Sequence, residues 1–117
     1  MADLLLETVA QLGGTARCLA LDEERLLVGC EDKCVRALSV GTGAVETLVE
    51  TPFLVSDLEA APDHIYLTLG PGHIARFDRQ RSQLDIELEV FDASVLAKHG
   101  ATIVFGAPKV NRIHAAA

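Results

Sequence analysis

Three stretches of the chain share one pattern: an apolar run, a short polar or Gly/Pro turn, and a second apolar run. They are LLVGCEDKCVRAL (26–38), IYLTLGPGHIARF (65–77) and TIVFGAPKVNRI (102–113). Short apolar runs separated by turn residues predict β-hairpins. The first two stretches begin 39 residues apart, and the third begins 37 residues after the second. Positions outside the hairpins keep the same offset. Leu6-Glu7-Thr8-Val9 is followed 39 residues later by Val45-Glu46-Thr47-Leu48, and by Leu84-Asp85-Ile86-Glu87 after another 39. Leu26, Ile65 and Val104 are spaced 39 and 39, Leu19 and Leu58 also match, and the length of 117 residues is three such periods. A fixed period of this size is the mark of a repeat architecture.

Each period reads as strands. ARCLAL, VSDLEAA and ASVLAKH open the units, followed by turns at DEER, PDH and the Gly100 region. The hairpins come next, with EDK, GPG and APK at their tips, and then the linkers VGTG (40–43) and DRQRSQ (78–83). AVETLVE and LDIELEV close the first two units. LDIELEV alternates strictly, the signature of a half-buried strand. That alternation predicts Asp85, Glu87 and Glu89 on one face. The reading is a single domain over residues 1–117, with units near 15–53, 54–92 and 93–117 and residues 4–12 as an extra strand. Helix and strand compete at residues 3–12. Asp3 is placed to cap a helix through Leu5, Val9 and Leu12, with Gly13-Gly14 as its stop. The match of LETV to VETL favours the strand.

Composition narrows the class. Half of the residues are hydrophobic and mean hydropathy is +0.29, which excludes simple disorder. No apolar run reaches the length of a membrane span, and MADLLLETVAQLGG lacks the basic start of a secretory signal. A net charge of −7 argues against nucleic acid, which is bound through clustered Lys and Arg. Three cysteines do not make a disulfide framework, so reduced thiols and a cytoplasmic setting are expected.

LLVGCEDKCVRALSVGTGAVETL resembles a blade of a WD-repeat or quinoprotein-like β-propeller, with Thr42-Gly43 at the linker position. APDHIYLTLGPGHIARFD (61–78) is similar to a second blade, with Pro62-Asp63 at its first turn. Phe77-Asp78 stands where WD repeats place Trp-Asp, although the chain has no Trp. The resemblance covers roughly residues 15–113 and implies an all-β fold of four-stranded antiparallel blades. Stacked blades also explain the apolar excess. A sheet covered on both faces reads as near-continuous apolar runs, as IYLTL, LLVGC and TIVFG do. A β-sandwich is the competing fold.

Propellers close with about 4–8 blades. Three blades make only a partial ring, and their end sheets would expose apolar faces. The expectation is completion by a partner: a homo-oligomer, most simply a six-bladed dimer, or another chain supplying further blades.

Candidate chemistry is sparse. Cys30 and Cys34 flank the EDK turn at a spacing open to zinc, but no second pair follows, so they read as small strand residues. His64, His73, His99 and His114 are scattered. Gly70-Pro71-Gly72 lacks the amides and the Lys of a phosphate loop. No serine sits in a nucleophile elbow, and Asp22-Glu23-Glu24 reads as solvated turn charge. Arg36, Arg76 and Arg112 recur in the second strand of each hairpin and read as structural ion pairs. Neither a catalytic set nor a cofactor or metal site emerges. The leading expectation is a non-enzymatic scaffold that binds protein partners through loops gathered on one ring face. Its candidate residues are Glu31, Asp32, Lys33, Pro71, His73 and Lys109. The alternative is a propeller of quinoprotein or lectin type that binds a small molecule or sugar or acts on one. The repeated Arg is its only support, and there is no Trp for sugar stacking.

Overall fold

The computed structural model describes residues 12, 14–23, 25–107, 109 and 112–116, with the backbone alone at His99. The expected strand at residues 4–12 falls, apart from Leu12, outside them. The strands in this range are β1 (Ala16–Asp22), β2 (Arg25–Cys30), β3 (Cys34–Ser39), β4 (Val45–Glu50), β5 (Val55–Ala60), β6 (His64–Leu69), β7 (His73–Asp78), β8 (Gln83–Glu89), β9 (Val95–His99), β10 (Thr102–Ala107) and β11 (Arg112–Ala116). They form three antiparallel sheets in simple meander order: β1–β4, β5–β8 and β9–β11. These are the blades of a partial β-propeller. The first strands pack in sequence, β1 on β5 and β5 on β9.

Turn chemistry sets the meander. Glu23, Lys33, Ser82 and Asp92 all take left-handed backbone conformations where the chain reverses or changes sheet. The Asp78 carboxylate accepts the amide N–H groups of Gln80 and Arg81, both at 3.0 Å, and so closes the turn into β8.

Two cores hold the blades together. Between the first and second sheets, Leu27, Val35 and Ala37 meet Val55, Leu58, Ile65, Leu67 and Phe77. Between the second and third, Ile74 meets Leu96 and Phe105, with Tyr66 and Ile103 at the margin. The middle sheet is therefore covered on both faces, which is why IYLTL reads as a continuous apolar run. Gly29 permits the close approach at the first junction. A Cβ there would run into the Cys18 sulfur and would lie 2.6 Å from Cγ1 of Val55. Polar links cross the junctions as well. Asp57 accepts the Leu96 N–H at 2.8 Å, and the Thr68 hydroxyl donates to the Ser94 carbonyl at 3.0 Å.

The fold corrects two local expectations. The acidic residues of β8 do not share one face. Ile74 pairs with Leu88 while the next residue, Ala75, pairs with Ile86, so Glu87 is the extra residue of a β-bulge. The bulge shifts the alternation by one residue and puts Asp85 on the face of Leu88. Asp22 is not solvated turn charge either. It ends β1, is largely buried, and forms a two-pronged pair with Arg79 at 2.9 Å for each contact, tying the first sheet to the second.

Candidate functional site

Strand direction alternates along each sheet, so the turns β2–β3, β6–β7 and β10–β11 emerge on one face of the row. The connections β4–β5 and β8–β9 emerge there too. This upper face carries the six candidate partner-binding residues, and the structure brings them together in two groups.

The first group surrounds the β2–β3 turn. Glu31, Asp32 and Lys33 are all exposed. Arg17 reaches Glu31 at 3.2 Å, and Arg36 grips Asp32 through both oxygens at 3.0 and 2.7 Å. That guanidinium hydrogen bond holds the Asp32 carboxyl below its ordinary range. Lys33 takes a φ of 66°, and its carbonyl accepts the Thr51 N–H at 2.8 Å, so the hairpin tip is fastened to the crossing segment.

The second group spans the second and third sheets. Pro71 follows a cis peptide bond, and its carbonyl accepts the Asp92 N–H at 3.1 Å. The Asp92 carboxylate in turn accepts the Lys109 N–H at 2.6 Å. Pro71 and Lys109 are thus held through one aspartate. His73 lies beside them, stacked on Phe53 with ring centroids 4.2 Å apart, and its Nε2 lies 3.3 Å from Glu89. Its Nδ1 is buried without a hydrogen-bond partner.

Sequence reasoning missed Asp92 and the apolar residues of this face. Leu54 and Phe91 are exposed large hydrophobics beside the candidate turns. A signal for them existed: Phe53 and Phe91 recur 38 residues apart in the segments that cross between sheets.

Arg36 and Arg76 are ion-paired, Arg76 with Glu87 at 2.9 Å, while Arg112 opens β11 and is exposed. Cys30 is buried and Cys34 half-buried, and both are free thiols. Cys18 faces the first junction, where burial, with the Asp57 carboxylate adding to it, pushes its thiol up to about 11. On the lower face an open groove of about 400 Å³ is lined by Asp22, Glu23, Arg25, Pro62 and Arg79.

The ends of the row have their own geometry. Leu19 opposes Val28, and Leu58 opposes Leu67 at the same place one blade on; Leu96 opposes Phe105. Leu58 and Leu96 are 1% and 9% exposed, whereas Leu19 is 62% exposed. Ile74 and Ile113 are a second equivalent pair, 39 residues apart, at 3% and 79%. One repeat position is buried at internal junctions and open at an end.

Blades in this order, with their connections on one face, define a segment of a β-propeller. Solved β-propeller structures share the fold. The chain is similar to BBS1N, solved in complex with ARL6DN, at a TM-score of 0.69 and 15% identity, over 90% of this chain and 38% of that one. It is similar to BamB from Moraxella catarrhalis at a TM-score of 0.65 and 18% identity, over 86% of this chain and 34% of that one. The chain therefore spans about a third of the length of these propellers. The computationally designed Ika4 protein matches at a TM-score of 0.57 and 13% identity, over 95% of this chain and 98% of that one. No protein-family model matches the chain, and no curated protein is similar to it in sequence.

Proposed function

We propose that the protein is a non-enzymatic scaffold for protein–protein interaction whose blades complete a ring with further blades, by oligomerisation or with another chain. One observation carries this reading: Leu19 and Ile113 are open at the two ends of the row, at positions that are buried between blades. Large apolar side chains left open at positions the fold elsewhere buries mark an interaction surface. The upper face supplies the partner surface, where Leu54 and Phe91 sit among Glu31, Asp32, Lys33, Pro71, His73 and Lys109. BBS1N, a propeller solved with ARL6DN bound, supports a protein partner as the kind of ligand. A net charge of −7 favours a basic one. Thr42-Gly43 and Phe77-Asp78 favour the WD-like branch of propellers, and free thiols at Cys18, Cys30 and Cys34 suit a reducing cytoplasm. The ligand-binding alternative loses its main support, because the guanidinium groups of Arg36 and Arg76 are already engaged by Asp32 and Glu87.

The test is affinity isolation with cross-linking, comparing Phe91→Asp and Lys33→Glu with a lower-face control, Arg81→Glu. The reading expects a protein cross-linked to the wild type and the control and lost from the two upper-face variants. Equal recovery by all of them contradicts it. So does tight calorimetric binding of a sugar or cofactor by the chain alone.

A further inference from the structure

The three sheets do not offer the same surface to the blade that follows. In the first sheet this following face is a lattice of Cys18, Ala20, Leu27, Gly29, Val35 and Ala37, paired across β1, β2 and β3. In the second the same positions hold Asp57, Glu59, Tyr66, Thr68, Ile74 and Arg76. In the third they hold Val95, Ala97, Val104, Gly106, Ile113 and Ala115. The third lattice repeats the first almost position for position. Small residues stand where small ones stand (Ala20 and Ala97, Gly29 and Gly106, Ala37 and Ala115), and branched residues where branched ones stand (Leu27 and Val104, Val35 and Ile113). The middle lattice is polar or charged at most of these places.

What packs on each lattice follows the same division. The apolar first lattice is covered by Leu58, Ile65 and Leu67 of the second sheet. The polar second lattice is covered by the third sheet, whose covering face carries Leu96 and Phe105 but also Lys98 and His114. The remaining covering face belongs to the first sheet and is of the leucine type: Leu19, Leu21 and Leu26 stand at the places of Leu58, Ala60 and Ile65. Val28, Cys30 and Leu38 of that face are already buried, so the part left open is β1. Internal junctions are made chiefly by the first strand of the covering blade, β5 against β1 and β2. At this end the covering blade's first strand is β1, the open one.

We propose that a second copy of this chain covers the third sheet, seating its Leu19 and Leu21 over Val95, Gly106 and Ile113. The seat is shaped for it. Gly29 is the site where Val55 and Leu58 lean in at the first junction, and Gly106 stands at the same place of the third sheet, with Cγ2 of Val95 beside it where Gly29 has the Cys18 sulfur. The contact is head to tail, so a two-fold axis along the ring closes two copies into six blades, inside the range of about 4–8. Three copies would make nine, outside it. The junctions then run apolar, polar, apolar around each half. This assignment rests on the ring-completion reading above and goes further by naming the partner and the seat.

The test uses the whole chain, with Leu19→Glu, Val95→Lys and their equal mixture, read by sedimentation equilibrium beside a far-ultraviolet melt. The wild type is expected near twice 12.5 kDa, and each variant alone near 12.5 kDa. The mixture is expected to regain the dimer. A mixed pair has one unaltered junction and one that joins the introduced glutamate to the introduced lysine, whereas each variant alone damages both. Leu19→Lys with Ile113→Glu is the second pair, used if a first variant fails to melt cooperatively. Open-ended polymers, dimeric single variants or a mixture that stays monomeric each overturn the proposal. A folded wild-type monomer that binds an apolar dye also overturns it, yet leaves completion by another chain standing. A folded monomer that binds none sinks both.

Discussion

Asp57 joins two blades with one carboxylate: one oxygen accepts the Leu58 N–H at 2.9 Å and the other the Leu96 N–H at 2.8 Å. Asp57→Ala leaves the Leu96 amide without that acceptor, and a part-buried amide without a partner costs about 1–3 kcal/mol. Urea titration is expected to show that loss, with Asp57→Asn keeping part of the stability. Cys18 tests the first junction in another way. Its thiol is pushed up to about 11 from an ordinary 9.0, because burial beside Asp57 disfavours the thiolate. Near neutral pH its thiolate fraction falls about 100-fold, so iodoacetamide should modify it far more slowly than the same thiol in the urea-unfolded chain. Because the folded value is raised, the stability linked to Cys18 is complete below pH 9.0 and is lost as the pH climbs toward 11. Melting temperatures across that window check the sign. Asp32 has the opposite sign. Its carboxyl is held low by Arg36, so its contribution is present above the ordinary carboxylate range and lost on acidification. Of these roles only the ion pairing of Arg36 could be read from the sequence. Asp57 and Asp92 act on backbone amides that only the folded row brings within reach.

At the scale of the strand and hairpin, much was legible. The apolar runs and the turns EDK, GPG, VGTG and PDH carry the local information for a meander, and β2, β3, β6 and β7 stand where the pattern puts them. The phase of β8 was not legible. A bulge at Glu87 adds one residue against β7, and nothing in LDIELEV separates a bulged strand from a regular one. The need for glycine at 29 was also hidden, because it comes from the neighbouring sheet. Gly29→Val drives a branched side chain into Cys18 and Val55, and overpacking of this kind costs about 1–3 kcal/mol. Ile113→Glu, at a position 79% exposed on the open end, should leave the fold's stability nearly unaltered but weaken assembly. Chemical denaturation of both variants, read beside their solution mass, separates a junction inside the chain from one between copies.

The whole molecule is a row of sheets with two unlike ends. Its period was legible because each blade repeats the same alternation of runs and turns. The unlike surfaces were not, because a position shows its packing only when compared across all three sheets in register. The upper-face candidates are turn residues, whereas Leu54 and Phe91 lie in the connections between sheets, to which the repeat pattern assigns no role. The central claim is that the blades stack side by side and that the open ends are covered on assembly. Solvent paramagnetic relaxation of the δ1 methyl groups of the five isoleucines tests it most directly, measured over a dilution series with the mass followed in parallel. The account predicts Ile65 and Ile74 shielded at every concentration, and Ile113 accessible when dilute but shielded in step with dimer formation. Ile74 as accessible as Ile113, or Ile113 open in every folded sample, would contradict it.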